Sequence, residues 1–179
     1  RKFGTAEGDF QWAVAYHPYP QDLNDAKTWN DNKASFNMNT KLVTFKNLEV
    51  LSAWAQKSEN KYKKTIKRSV WLSENGTNSR TYADMYLKEQ AAGFAYAWKK
   101  LKKLDGIDAM QWHNWIDHPE EYGLRIGLRK FPNDPDDPMG RKLVWYAYQA
   151  AGTSTEDAVF EPYKAVIGID NWNIIQEVQ

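Results

Sequence analysis

Three segments of the sequence end in side chains able to do chemistry. His17 and Tyr19 follow the apolar stretch 9–16, with one proline between them. Glu74 and Asn75 follow Arg68-Ser-Val-Trp-Leu-Ser. Trp112, His113, Asn114, Trp115 and Asp117 follow Ile107-Asp-Ala-Met-Gln. A carboxylate, two imidazoles, a phenol and indole rings on one rim would suit the opening of a glycosidic bond. That reaction uses one carboxylate as nucleophile at the anomeric carbon and a second, protonated carboxyl to assist the leaving oxygen. Glu74 is the sharpest candidate nucleophile, because it leaves a dry apolar run directly for the mouth of a cleft. Pro18 forces extended backbone, on which side chains two apart point the same way. His17 and Tyr19 are therefore expected to face the same cleft, with the Tyr19 hydroxyl able to donate to Glu74. Trp112 could floor a sugar subsite, and Asn75, His113 and Asp117 could bind substrate hydroxyls, or Asp117 could orient His113.

Each of these residues has a structural alternative. Glu74 could pair with a surface Arg, His17-Pro-Tyr-Pro20 could be a rigid turn, Trp112 could be core, and the 113–118 cluster could be an ordinary loop network. His113 and His118 lack a companion Cys or His at ligand spacing, so no metal is expected. No cofactor is expected either. Asn75-Gly-Thr77 fits a glycosylation acceptor formally, but it falls inside the candidate site and reads as accidental.

Function requires elements that bring the three ends together. Residues 9–16 are β-prone and are stopped by two prolines. Residues 21–41, rich in Asn, Asp and Lys, read as a long irregular loop, a type that is commonly functional. Leu48, Leu51, Ala55, Val50 and Trp54 give residues 45–57 a helical period, with Thr44 as N-cap. Residues 68–73 read as a strand buried on both faces, ended by Asn75-Gly76. A long helix is expected over 82–103, with lysines in its last turns where the macrodipole favours cations, then a strand over 107–112. A loop reaching residue 140 and a helix over 141–151, closed by Gly152, follow. Residues 161–173 read as a further short helix or an extended edge segment.

Strand, helix, strand, helix, strand, helix implies an α/β fold with parallel strands, whose functional groups lie at the strands' C-terminal ends. The chain has 179 residues, whereas a (β/α)8 (TIM) barrel takes about 250. The expectation is either a small open sheet or the last three strand–helix units of a barrel. Residues 1–152 would supply those units and residues 153–179 a tail packed on them.

Composition narrows the partners. With 24 Lys+Arg against 23 Asp+Glu, the net charge is +1, which gives no reason to expect nucleic acid. The cluster 61–67 reads as a solvated basic loop. There is no cysteine, hence no disulfide framework. No signal-peptide pattern or membrane-spanning apolar run is present. The 9 Trp, 10 Tyr and 7 Phe make 15% of the chain; many such rings fill cores, but the excess of Trp favours a carbohydrate site.

Several blocks together carry a resemblance: His17-Pro-Tyr-Pro20, Thr44-Phe-Lys-Asn-Leu-Glu-Val-Leu51, Leu72-Ser-Glu-Asn-Gly76, Asp117-His-Pro-Glu-Glu-Tyr-Gly-Leu124 and Gly127-Leu128. Over roughly residues 10–150 the chain resembles the C-terminal part of a bacterial (β/α)8 family of glycoside hydrolase type, DUF5722-like. That family is similar, distantly, to the retaining glycosidase clan of cellulases, mannanases and xylosidases. The resemblance implies that the three strands are the sixth, seventh and eighth of a barrel. It implies Glu74 as nucleophile, His17 and Tyr19 at the end of the sixth strand and Trp112 at the end of the eighth. The clan's acid/base Glu ends the fourth strand, which has no counterpart here; Asp117, Glu120 and Glu121 belong to the eighth loop and are poor substitutes.

The expected activity is therefore retaining O-glycoside hydrolysis of an oligo- or polysaccharide, completed by the N-terminal part of the same barrel. The isolated chain is expected to be inactive, and the expected location is secreted or periplasmic. Two other readings stand beside it. One is a non-catalytic carbohydrate-binding module that uses an aromatic rim; the other is a structural domain whose Trp residues are core.

Overall fold

The computed structural model describes residues 8–175. It contains three strands, β1 (Val14–Tyr16), β2 (Val70–Asn75) and β3 (Ala109–Trp112), and four helices, α1 (Leu48–Gln56), α2 (Asp84–Leu101), α3 (Leu143–Ala150) and α4 (Glu156–Ile167). The strands form one parallel sheet in the order β1-β2-β3. No helix among the described residues is long and apolar enough to cross a membrane.

The sheet has one covered face. Val70 and Leu72 are fully buried against Phe45, Leu48, Leu51, Tyr96 and Ala97, each contributing roughly 1.5–3 kcal/mol by leaving water. Trp71 points the other way and is 47% exposed. The expectation that β2 is buried on both faces is thus corrected: the face that carries Trp71 is only partly covered among the described residues. β1 is also shorter than the apolar stretch 9–16, because pairing begins only where Val14 N–H donates to Ser69 O at 2.8 Å.

Capping sets the entry to α1. Lys46 N–H donates to Thr44 Oγ1 at 3.2 Å, and Thr44 N–H donates to Asn47 Oδ1 at 2.9 Å. This reciprocal box closes a 3-10 turn over Phe45–Asn47 before the α-helix proper. α2 begins at Asp84 and buries Gln90–Ala97 almost continuously. Lys100 near its end forms a buried ion pair with Glu49 of α1.

The helical part of the tail joins the core, while residues 176–179 lie outside the described residues. α4 starts at Glu156, earlier than its composition suggests, and Phe160 packs fully buried against Phe94. Glu156 accepts from Trp98 Nε1 at 2.8 Å, Lys99 Nζ at 2.7 Å and Gly152 N at 2.7 Å. One buried carboxylate therefore joins the ends of α2, α3 and α4.

The site stands on the segments after β1, β2 and β3, and Gln90 of α2 holds the second and third together. Its Nε2 donates to Thr77 O at 2.9 Å in the β2–α2 loop and to Arg125 O at 3.0 Å in the β3–α3 loop. Gly76 lets these loops touch: a Cβ there would stand 2.2 Å from Ile126 Cγ2 and 2.6 Å from His113 O.

Candidate functional site

Glu74 reaches the cleft through a local irregularity. Strict alternation would send it to the same face as Val70 and Leu72. Leu72 pairs with Met110 and Asn75 with Trp112, so three residues of β2 match two of β3. Such a bulge re-aims side chains. The Glu74 side chain is 44% exposed and lines an open cleft of about 270 Å³ with Tyr19, Leu23, His113, Glu121 and Leu124.

Tyr19 OH donates to Glu74 Oε1 at 2.8 Å. Burial first, then the adjacent Glu74 carboxylate and the charge of Glu121, push the Tyr19 phenol well above its ordinary range. Tyr19 is therefore a neutral donor at any working pH. His17 Nδ1 lies 3.9 Å from Glu74 Oε2, near enough for a charge interaction but beyond a direct hydrogen bond. His17, Tyr19 and Glu74 thus converge from β1 and β2, and His113 joins them from the end of β3.

Three other candidates lie elsewhere. Asn75 is fully buried, and its Nδ2 donates to Leu72 O and Gln111 O, each at 3.0 Å; it ties the bulge to β3. Trp112 lies between sheet and helices, stacked on Phe45 at 6.4 Å and edge-on to Phe94 at 5.2 Å, with Nε1 donating to Ile126 O. Asp117 is buried under the β3–α3 loop, where it accepts from Lys142 Nζ at 3.0 Å, Tyr82 OH at 2.8 Å and Gly127 N at 2.7 Å. Burial raises the Asp117 carboxyl and lowers the Lys142 ammonium to about 8, against their mutual attraction. Asp117 does not orient His113; Glu121 does.

Glu121 is the residue that spacing alone undervalued. Its Oε1 lies 3.0 Å from His113 Nε2 and 3.1 Å from Asn114 Nδ2. Leu124 N–H donates to Glu121 O at 2.8 Å, closing a turn with φ of 53° at Tyr122 and 80° at Gly123. Positive φ at both central residues marks a type I′ turn, which reverses the chain along the cleft wall. Tyr-Gly after an acidic pair was its signal in the sequence. His118 Nδ1 accepts from Glu120 N–H, and no group of metal-ligating side chains occurs among the described residues.

The fold and site define an α/β protein with a parallel sheet and a carboxylate-bearing cleft at the C-terminal ends of its strands. The chain belongs to the family of unknown function DUF5722, whose family model matches residues 1–175. No curated protein matches it. Among solved structures it is similar to a family 39 glycoside hydrolase from the gut symbiont Bacteroides cellulosilyticus WH2, with a TM-score of 0.51 and 19% identity. The match covers 81% of this chain and 27% of that one, so the chain spans about a quarter of that enzyme. Identity this low speaks to the fold alone.

Proposed function

We propose that this chain forms the last three strand–helix units of a (β/α)8 barrel, residues 1–152, with residues 153–179 packed on them. The assembled barrel is a retaining glycoside hydrolase acting on an oligo- or polysaccharide, in a secreted or periplasmic setting. The observation that carries this reading is the Tyr19–Glu74 hydrogen bond at the open end of the central parallel strand. Likeness to part of a glycoside hydrolase supports it.

The proposed chemistry uses this geometry. Tyr19 holds Glu74 Oε1, which leaves Oε2 to attack the anomeric carbon. A glycosyl–Glu74 ester forms as the bond to the leaving oxygen breaks, and water then hydrolyses the ester. The leaving oxygen takes its proton from a second carboxyl, which retaining enzymes place about 5–5.5 Å from the nucleophile. That group comes from the N-terminal part of the barrel, the partner this sheet requires.

A fluorosugar glycoside with a dinitrophenolate leaving group needs no acid for the first step, so it tests Glu74 directly. Incubated with the full-length polypeptide, it is expected to leave one glycosyl adduct on the peptide containing Glu74. Glycan binding without any adduct on Glu74 would overturn the catalytic reading in favour of a binding module. Robust turnover of aryl glycosides by residues 1–179 alone would overturn the assignment of the second carboxyl.

A further inference from the structure

Glu121 is a second carboxylate in the cleft, and its surroundings define what it does. Two N–H donors, from His113 Nε2 and Asn114 Nδ2, converge on the same oxygen, Oε1. The imidazole faces a carboxylate with Nε2, so that nitrogen donates. Among the described residues no hydrogen bond reaches Oε2. The carboxylate is thus fixed in direction by one oxygen, and its side chain, 28% exposed, lines the cleft. It stands on a loop that the 121–124 turn and the Gln90 contacts hold in place.

An oriented, uncommitted carboxylate oxygen is an acceptor for a hydroxyl group. Bonds to charged acceptors are stronger than neutral ones, and a site built to accept a hydroxyl discriminates strongly against substrates lacking it. Among the described residues the cleft wall bears Glu74, Glu120 and Glu121 and neither Lys nor Arg. An anionic substituent on the sugar would meet like charge there.

We propose that Glu121, aimed by His113 and Asn114, binds a hydroxyl of the sugar ring seated over Glu74 and selects an uncharged ring over a uronic acid. This rests on the reading of the cleft as a sugar site. It also separates Glu121 from the missing acid, because Glu121 acts on binding and the acid acts on departure of the leaving group.

The test uses the kinetics of Glu74 labelling in the full-length polypeptide, with a neutral dinitrophenyl fluoroglycoside and its uronide counterpart. Glu121→Gln keeps the shape of the side chain. It is expected to raise the inhibitor's half-saturating concentration about 10- to 100-fold, the worth of one bond to a charged acceptor. The maximal labelling rate is expected to change less than about threefold. Glu121→Asp should recover part of the loss, and the uronide should label the wild type far more slowly than the neutral probe. An unchanged half-saturating concentration in Glu121→Gln, or equal labelling by both probes, overturns the inference and leaves the nucleophile assignment intact.

Equilibrium binding of neutral oligosaccharides to the Glu74→Gln protein separates the two claims. Absence of labelling in the wild type, with binding that Glu121→Gln weakens, overturns the hydrolase and keeps the role of Glu121. Absence of both labelling and binding overturns both.

Discussion

Glu74, next to last in β2, and Asp117, a short way beyond β3, both lie at the C-terminal edge of one parallel sheet, and the structure treats them in opposite ways. Glu74 has a single close donor, Tyr19, and a half-exposed side chain facing a cleft. Asp117 is surrounded by the Lys142 ammonium, the Tyr82 hydroxyl and the Gly127 amide, with no exposed surface on its side chain. A carboxylate that is to attack carbon needs a free oxygen and an open approach. One whose acceptor sites are filled from all sides holds a loop. Strand-end position therefore nominates a carboxylate, and the number of donors already on it decides between chemistry and architecture. Glu156, shared by Trp98, Lys99, Lys102 and Gly152, falls on the architectural side.

The contrast can be broken at four points. Glu74→Gln should lower glycosyl-adduct formation and turnover by about 10⁴-fold or more in the full-length polypeptide, with an unchanged melting temperature. A large stability loss there would place Glu74 with Asp117.

Asp117→Ala strands the Lys142 ammonium in the interior and should cost about 3–5 kcal/mol in urea unfolding. The double change Asp117→Leu with Lys142→Met should cost much less, since it removes both charges. Equal losses would show that the pair is not the source.

Glu156 gives the pH test. Burial opposes its charge, but hydrogen bonds from Lys99, Gly152, Trp98 and Lys102 outweigh that and hold its carboxyl at about 2, below the usual 4.5. The unfolded chain therefore takes up the proton first as pH falls. The stabilisation, about 3 kcal/mol, is complete above pH 4.5 and is lost as pH falls through 2. Glu156→Gln should remove both that stabilisation and its acid-side slope, read by denaturant unfolding at neutral and acid pH.

Tyr19→Phe should be the mildest, slowing adduct formation about 10- to 100-fold through loss of one bond to a charged acceptor. Because the Tyr19 phenol is neutral throughout the working range, the pH profile should keep its shape.

The sequence did not show this contrast, since it placed Glu74 and Asp117 on one rim, but it carried much of the frame around them. The apolar run before Glu74, the helical period over 45–57, the Thr44 cap and the loop from 113 to 140 all reflect local rules of spacing and capping, and each has its counterpart in the fold. Convergence of His17, Tyr19, Glu74 and His113 followed from the rule that functional groups lie at strand ends, which had put Asn75, Trp112 and Asp117 on the same rim. The side-chain directions did not. Trp112 turns to the interlayer core because Phe45 and Phe94 offer their rings there, and Asn75 turns to the sheet because the bulge leaves carbonyls of Leu72 and Gln111 to satisfy. Glu121 became prominent only once the turn at Tyr122-Gly123 set its side chain in the cleft wall beside His113.

The sequence by itself determined the alternating α/β order, the parallel strands and the placement of a carboxylate at the end of the central one, because periodicity and turn chemistry act between near neighbours. Tertiary structure decided which polar groups face the cleft. That choice depends on a one-residue bulge between β2 and β3, on partners from another loop such as Tyr82 for Asp117, and on the close approach allowed at Gly76 to Ile126. Those contacts join residues far apart in the chain, and no local pattern encodes them.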